Sequence, residues 1–403
     1  MKARVLILNA GSSSLKFHLL NMPEEVSLCK GMAERLGTEN PLLKVKTSQA
    51  EWEEALRASD HQSALKRIAE ILNELHVPEG QEGPGISAIG HRVVHGGARF
   101  SSTTEITDTV KEQIRELSTL APLHNPRNLE GIVLSETFFP QAFQVAVFDT
   151  AFHRSIPEKA RYYAIPRGLS ESGGIQVYGF HGTSHKYVFE QLAPGLDKDA
   201  KVISLHLGNG CSATAIRGGK SVDHSLGFTP SNGLIMGTRS GDIDHGIVFY
   251  MMETLGYSRE EVNDILNRKS GLLGLTGYTD LRDIQKGAAS GNPECGLAME
   301  MVAYRIRKYI GAYTAAMNGL DALIFTAGIG EHSSDLRKMV CSELDAFGIE
   351  LDDDLNSLST KGNRAIHAEG SRVEIWVIPT DEELEIARQT YSLYADTPGV
   401  RRT

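Results

Sequence analysis

The feature that most restricts the fold is a pattern that recurs in the two halves of the chain. Val5-Leu-Ile-Leu-Asn-Ala-Gly-Ser-Ser-Ser-Leu-Lys16 and Val202-Ile-Ser-Leu-His-Leu-Gly-Asn-Gly-Cys-Ser-Ala213 each run from an apolar stretch through a turn of small residues into a second stretch. Apolar runs of this length bounded by Gly, Ser and Asn read as buried strands joined by tight turns, so each segment predicts a hairpin. A third run, Ala322-Leu-Ile-Phe-Thr326, leads into Gly328-Ile-Gly-Glu331, which reads as a further loop of the same kind. Between these runs the spacing is helical: Leu65, Ile68, Leu72 and Leu75; Val110, Ile114, Leu117 and Leu120, stopped by Pro122; and Val302, Ile306, Ile310 and Tyr313. The first of these helices leads into a loop at residues 77–85, and Gln144-Val-Ala-Val-Phe148 reads as a strand ending at Asp149. Strands alternating with helices make the class α/β. Two hairpins, each offering backbone amides at a small-residue turn, predict a duplicated fold clamping one phosphate-bearing ligand between its halves.

A chain of 403 residues exceeds what one hydrophobic core usually organises, so two domains are expected. Its net charge of −10 repels polyphosphate backbones and anionic lipid, which argues against nucleic acid and membrane surfaces as partners. No apolar run is long enough to span a bilayer, and the opening Met-Lys-Ala-Arg-Val-Leu-Ile-Leu breaks too soon for a secretory segment, so a cytoplasmic location is expected. Cys29, Cys211, Cys295 and Cys341 are far apart with no Cys-x-x-Cys, which predicts small core residues rather than a disulfide framework or a zinc cluster.

Asn9-Ala-Gly-Ser-Ser-Ser-Leu-Lys16 supplies unblocked amides, hydroxyl donors and a cation, the groups a phosphoryl oxygen accepts from, although Ser and Gly also mark ordinary turns. Leu207-Gly-Asn-Gly210 repeats the offer. Gly218-Gly-Lys-Ser221 imitates the end of a Walker loop, but Thr214 stands where the upstream glycine belongs, so a hairpin turn is expected there. Neither Gly208-Asn-Gly210 nor Gly328-Ile-Gly330 has the third glycine of a dinucleotide fingerprint. Arg92 in His91-Arg-Val-Val-His-Gly-Gly97 and Arg239 in Gly237-Thr-Arg-Ser-Gly-Asp242 each present a guanidinium fork beside glycines, and two such forks favour an anionic substrate. His181 and His185 are spaced for one helix face, but no Glu follows His181 as in a zinc protease motif. Asp149 stands at a strand end, where α/β enzymes often present a carboxylate; it could equally cap a helix. Glu382 and Glu383 open a helical stretch near the C-terminus, where acids serve either Mg²⁺ or the helix dipole.

Taken together with Ala121-Pro-Leu-His-Asn-Pro126, Phe148-Asp-Thr-Ala-Phe-His153 and Phe180-His-Gly-Thr-Ser-His185, these motifs resemble the acetokinase family of short-chain carboxylate kinases over nearly the whole chain. The resemblance implies two duplicated ribonuclease-H-like α/β domains of the actin/Hsp70/sugar-kinase type around a central cleft, and a homodimer. Residues 1–150 would form the N-terminal domain, with a C-terminal helix of about 384–403 packing back on it; residues 151–383 would form the second domain, carrying the nucleotide site and the dimer interface. The implied activity is reversible transfer of the ATP γ-phosphoryl to acetate, giving acetyl phosphate and ADP directly and in line.

Carried over residue by residue, the resemblance implies that Asp149, His181 and Arg239 are catalytic and that Arg92, Val94, Leu123, His124, Phe180 and Pro230 bind the carboxylic acid. Ser12, Ser14 and Lys16 would face the phosphates. His206, Leu207, Gly208, Asn209 and Gly210, then Asp280, Leu281 and Arg282, then Gly328, Ile329, Gly330, Glu331 and His332 would hold the nucleotide. Asn9 and Glu382 would hold Mg²⁺, for which Mn²⁺ can substitute. The chain departs from the family at His332 and Asp381, where Asn is usual, at His245, where Pro is usual, and at Ser231-Asn232, where Leu-Glu is usual. The alternatives are a propionate kinase, a pyrophosphate-dependent acetate kinase and, from another class, an actin- or Hsp70-like switch ATPase.

Overall fold

Both expected hairpins form. In the computed structural model, which describes residues 1–75 and 85–397, β1 (Ala3–Ala10) pairs antiparallel with β2 (Ser14–Met22). Asn9 lies opposite Lys16 and is therefore a ladder residue rather than a turn residue. The turn itself closes by a hydrogen bond from the Gly11 amide to the Ser14 carbonyl at 2.8 Å. Apart from Gly85, the loop expected at 77–85 lies outside the described residues, and so do residues 398–403 of the expected C-terminal helix.

The chain divides into two compact units, Met1–Ala151 with the segment from Asp381 onward, and Phe152–Thr380. The first unit continues with β3 (Val26–Glu34), β4 (Leu42–Thr47), β5 (Glu51–Ala55), β6 (Ala88–Val93), β7 (Thr104–Glu105) and β8 (Phe143–Phe148), in the sheet order β5-β4-β3-β2-β1-β6-β8-β7. The second contains β9 (Lys201–Leu207), β10 (Cys211–Arg217), β11 (Lys220–His224), β12 (Ala322–Thr326), β13 (Arg364–Ala365) and β14 (Glu374–Val377), in the order β11-β10-β9-β12-β14-β13. One pattern recurs within both sheets. An antiparallel meander is extended by two strands parallel to its first: β3-β2-β1-β6-β8 in the first unit, β11-β10-β9-β12-β14 in the second. The α/β class and the two duplicated sheets are as expected.

Gly218 and Gly219 both have positive φ, 55° and 77°, and form the tight turn between β10 and β11, which disposes of the Walker-like reading. The four cysteines are free and buried. Gly328–Glu331, expected as a loop, is instead helical, within Ala327–His332. The strand ends at Thr326, Ala327 takes a left-handed φ of 63°, and the helix starts at once. Two glycines in a short stretch suggest a loop, but Gly328 faces open space and a Cβ on Gly330 would meet its neighbours only at ordinary contact distance, 3.4 Å from the Phe325 carbonyl carbon, so neither position requires glycine's conformational freedom here.

In the first unit, Leu65, Ile68 and Leu72 of the helix His61–Glu74 bury their stripe against Leu6, Leu8, Leu15 and Phe17. Across the sheet, Ile386, Ala387 and Tyr394 of the helix Glu382–Asp396 pack on Val5, Ile7, Val145 and Val147. That packing needs Gly90 in β6, where a Cβ would sit 2.3 Å from Thr390 Oγ1 and 2.9 Å from Ile386 Cγ2. The close approach brings a helix from the far end of the sequence onto β1 and β6, with Glu382 in its first turn. No helix among the described residues is long and apolar enough to cross a membrane.

Candidate active site

In the first unit the candidate residues gather at one edge of the sheet, where the parallel strands β1, β6 and β8 end, the place where open α/β sheets receive ligands. Asn9 is the next-to-last residue of β1, Arg92 lies opposite Val147 near the end of β6, and Asp149 follows β8. Arg92 Nη2 donates to Asp149 Oδ2 at 3.0 Å, and its Nε lies 3.7 Å from Glu382 Oε2. Asp149 is 1% exposed. Burial alone would depress the Arg92 guanidinium, but the two carboxylates outweigh it and its pKa lies above the ordinary arginine value. Among the described residues, Arg92 Nε is buried without a hydrogen-bond partner, a donor left for an incoming anion.

The loop after β6 is fixed by side chains that the sequence pattern does not single out. Asn125 Oδ1 accepts from the His95 amide, Asn128 Oδ1 accepts from the Val94 amide, and Thr150 Oγ1 accepts from the Gly96 amide, at 3.1, 3.1 and 3.0 Å. Asn128 also donates to the Ala10 carbonyl at 2.9 Å, tying this loop to the end of β1. Asn125 and Thr150 stand inside Leu-His-Asn-Pro and Asp-Thr and Asn128 outside both, and only packing shows what they hold. Val94 is buried, whereas Leu123 and His124 are exposed at the start of the helix Asn125–Phe138. Ser12 and Lys16 are also exposed, and Ser14 is half-buried. Glu383, next to Glu382, lies 2.9 Å from His18 Nδ1; burial would raise its carboxyl, but the His18 hydrogen bond and the charges of His18, Lys16 and Lys30 bring it below the usual range. Asp381 caps the helix by accepting from the Leu384 amide at 2.9 Å. Asn and Asp serve that position equally, so the departure from the family at Asp381 leaves the cap intact.

In the second unit, His181, Arg239 and the β9–β10 turn lie together. His181 precedes the helix Gly182–Leu192 with a left-handed φ of 56°, a strained conformation for a residue with a side chain. Its Nδ1 lies 2.9 Å from Ser212 Oγ, and its ring stacks on His206 with centroids 4.3 Å apart. A Cβ on Gly210 would stand 3.4 Å from His181 Cε1 and 3.9 Å from Arg239 Nη1, so glycine at the turn leaves room between the two side chains. Arg239 Nη1 donates to the Pro230 carbonyl at 2.9 Å. Among the described residues no carboxylate lies within ion-pair distance of Arg239, and burial depresses its pKa. A partly desolvated guanidinium held by a carbonyl, without a counter-ion, is arranged to receive an anion. Phe180 is buried and Pro230 half-buried.

The nucleotide candidates divide. His206 and Leu207 are buried at the end of β9, Gly208 and Gly210 are half-buried, and Asn209 is exposed. Ile329 is half-buried and His332 exposed. Gly330 and Glu331 are anchored by their carbonyls, both of which accept from Nη1 of the buried Arg337, at 2.9 and 3.0 Å; Arg337 also donates to Asn356. Glu331 Oε1 accepts from the Thr380 amide at 3.2 Å. Asp280 and Arg282 are engaged with one another: Asp280 caps the helix Leu281–Ala289, its Oδ2 accepts from Arg282 Nη2 at 2.6 Å, and the Arg282 hydrogen bonds bring its carboxyl down to about 2. Leu281 is buried beneath them.

The divalent cation that the resemblance implies would need hard oxygen donors. Among the described residues no three His, Cys, Asp or Glu side chains come together as a metal site. Asn9 and Glu382 instead offer hard oxygens at the sheet edge beside Arg92 and Asp149. One or two protein oxygens complemented by water and substrate phosphates is the donor set Mg²⁺ takes, so the residues fit.

Comparisons with known proteins bear on the family and the fold. The model of the acetokinase family matches residues 4–388. The acetate kinase of Flavobacterium johnsoniae is 53% identical over 390 residues, covering 97% of this chain and 99% of that protein. The acetate kinase of Thermotoga maritima is 48% identical over 393 residues, covering 96% and 98%. Among solved structures, Porphyromonas gingivalis acetate kinase superposes with a TM-score of 0.91 at 42% identity, covering 97% of this chain and 99% of that one. A propionate kinase from Francisella tularensis superposes with a TM-score of 0.90 at 43% identity, with the same coverage. On the ordered motifs, the duplicated sheets and these matches, the chain belongs to the acetokinase family.

Proposed function

We propose that this protein is a cytoplasmic kinase that transfers the γ-phosphoryl of ATP reversibly to acetate, giving acetyl phosphate and ADP. The observation that carries the reading is the charge layout among the described residues: a guanidinium with an unmet buried donor at Arg92, and a second, without a counter-ion, at Arg239. Phosphoryl transfer asks the protein for positioning and charge neutralisation rather than covalent chemistry. Arg92, oriented by Asp149 and Glu382, would take the acetate carboxylate, with Val94, Leu123, His124, Phe180 and Pro230 around the methyl group. Arg239 and the Nε2 edge of His181 would stabilise the transferring phosphoryl oxygens. Ser12, Ser14 and Lys16 would engage the phosphates, and the β9–β10 turn and the helix Ala327–His332 the nucleoside. Mg²⁺, held by Asn9 and Glu382, would supply charge neutralisation at the phosphate oxygens when bound.

Hydroxylamine trapping tests the reading. Acyl hydroxamate should form from Mg-ATP only when a carboxylic acid is supplied, with acetate preferred. ATP hydrolysis without carboxylate and without hydroxamate is the result of a switch ATPase and would overturn the proposal. The likeness to the Francisella propionate kinase makes propionate the specific second reading, and a higher kcat/KM for propionate than for acetate would establish it. In the reverse direction ADP should consume acetyl phosphate faster than orthophosphate does, because the β9–β10 turn is intact and His332 can still make one hydrogen bond.

We further propose a homodimer through the second unit. Ile247, Phe249 and Tyr250 of the helix Gly246–Glu253 are exposed, as are Leu297, Met301 and Tyr304, spaced along one face of the helix Pro293–Met317. So much exposed apolar surface is what a second copy covers. Sedimentation at micromolar concentration should give twice the 44.0 kDa chain mass, and Phe249→Glu should yield monomer; a monomeric parent protein refutes this.

A further inference from the structure

His181 is one end of a line of imidazoles joined by hydroxyl groups. Its Nδ1 lies 2.9 Å from Ser212 Oγ; the same oxygen lies 2.8 Å from His185 Nε2, and His185 Nδ1 lies 2.9 Å from Ser204 Oγ. His185, Ser204 and Ser212 are all 0% exposed, so water does not intervene. Around them, His206 stacks on His181 and lies 2.8 Å from Ser184, while His153 and His224 stack on each other and contact the His185 ring at 5.9 and 5.4 Å. Arg239 and the Cys211 thiol also lie on this side.

A hydroxyl has one proton to give, and a neutral imidazole has one N–H. His185 remains neutral because burial, reinforced by the neighbouring histidines, pushes its pKa well below the ordinary value. If Ser212 donates to His181 Nδ1, its oxygen accepts from His185 Nε2–H, and His185 Nδ1 must then accept from Ser204. If His181 Nδ1 carries the proton, Ser212 donates to His185 and the whole line reverses. The tautomers of the two rings are therefore linked through one hydroxyl.

We propose that Ser212 and His185 are positioning residues that hold His181 in the Nε2–H tautomer, so that a donor rather than a lone pair faces the phosphoryl oxygens. This rests on the reading of His181 given above, since a lone pair at Nε2 would repel those oxygens. Ser212 acts as the switch point and Ser204 as the anchor that sets the direction of the line.

The test uses the full chain with ¹⁵N-labelled histidine, because long-range ¹H–¹⁵N correlation spectra report which ring nitrogen carries the proton. The parent protein should show His181 protonated at Nε2. Ser212→Ala should give a mixture of tautomers at His181 and lower kcat about tenfold, the effect of one lost orienting hydrogen bond, while KM for acetate and ATP stays within about twofold. Ser204→Ala, which leaves every contact of His181 in place, should shift the same signals in the same direction. An Nδ1–H tautomer in the parent protein, or an unchanged His181 tautomer in both variants, overturns the proposal. A shifted tautomer with unchanged kcat leaves the linkage standing and overturns the placement of His181 at the phosphoryl group.

Discussion

Arg239→Ala is expected to lower kcat at least ~100-fold with little loss of stability, and Asp149→Asn to do the same while keeping its shape. The two arguments differ. Arg239 is partly desolvated, held by the Pro230 carbonyl and, among the described residues, without a carboxylate partner, so its removal relieves a cost of burial in the unliganded protein. What is lost is charge facing a transition state richer in negative charge than the ground state, so kcat should fall more than KM rises. Asp149 is buried and orients Arg92 at 3.0 Å; the amide retains volume and one acceptor but removes the charge. Steady-state kinetics beside thermal unfolding separate the outcomes. Near-normal turnover in a folded Arg239→Ala protein would remove Arg239 from the reaction, and the same result for Asp149→Asn would make Asp149 structural.

The unfolding free energy should fall by several kcal/mol between about pH 6.5 and pH 4, the range over which His91 and His95 differ between folded and unfolded chain. Burial pushes both imidazoles down to about 4 from the ordinary 6.5, the His91 shift opposed by its hydrogen bond to Gln144. A depressed folded pKa means that the unfolded chain binds more protons within this window. The contribution of these two rings is therefore complete above about 6.5, is lost as pH falls, and levels off below about 4. Each ring contributes about 3 kcal/mol over that interval, with His185 and His224, both held well below the ordinary value by burial, acting in the same direction. Urea unfolding at pH 7 and pH 5 measures it, and His91→Gln should flatten the dependence. Equal stability at the two pH values would show that these histidines are not held neutral.

Much of this protein is legible in local chemistry. Hairpins declare themselves through apolar runs and small-residue turns because both signals lie within a dozen residues, and β1–β2 and β9–β10 form where those signals stand. Helical stripes at Leu65–Leu72 and Val302–Tyr313 are equally local and are buried as their spacing implies. The exception, Gly328–Glu331, shows the limit of that reasoning. Its glycines lie in a short helix that starts at once after β12 through the left-handed Ala327, a difference invisible without the strand that sets the chain's direction.

Period, turn chemistry and charge are properties of short segments, and they are enough to specify the duplicated α/β pattern and the residue types of an anion-handling site. Which of those residues act together is settled by long-range packing. Arg92 meets Asp149 because β6 and β8 run parallel in one register, and meets Glu382 because Gly90 admits a helix from the far end of the chain. Asp280 and Arg282, each available in the sequence, are paired with each other, whereas Arg239 has no such partner among the described residues. Ser212 and Arg337 carry no signal of their own, and His185 only its spacing from His181, since a serine, a histidine or an arginine acquires its role from atoms supplied by other strands and helices. A hydrogen bond depends on distances of a few tenths of an ångström between residues far apart in sequence, and pairing of strands and burial of helices fix those distances.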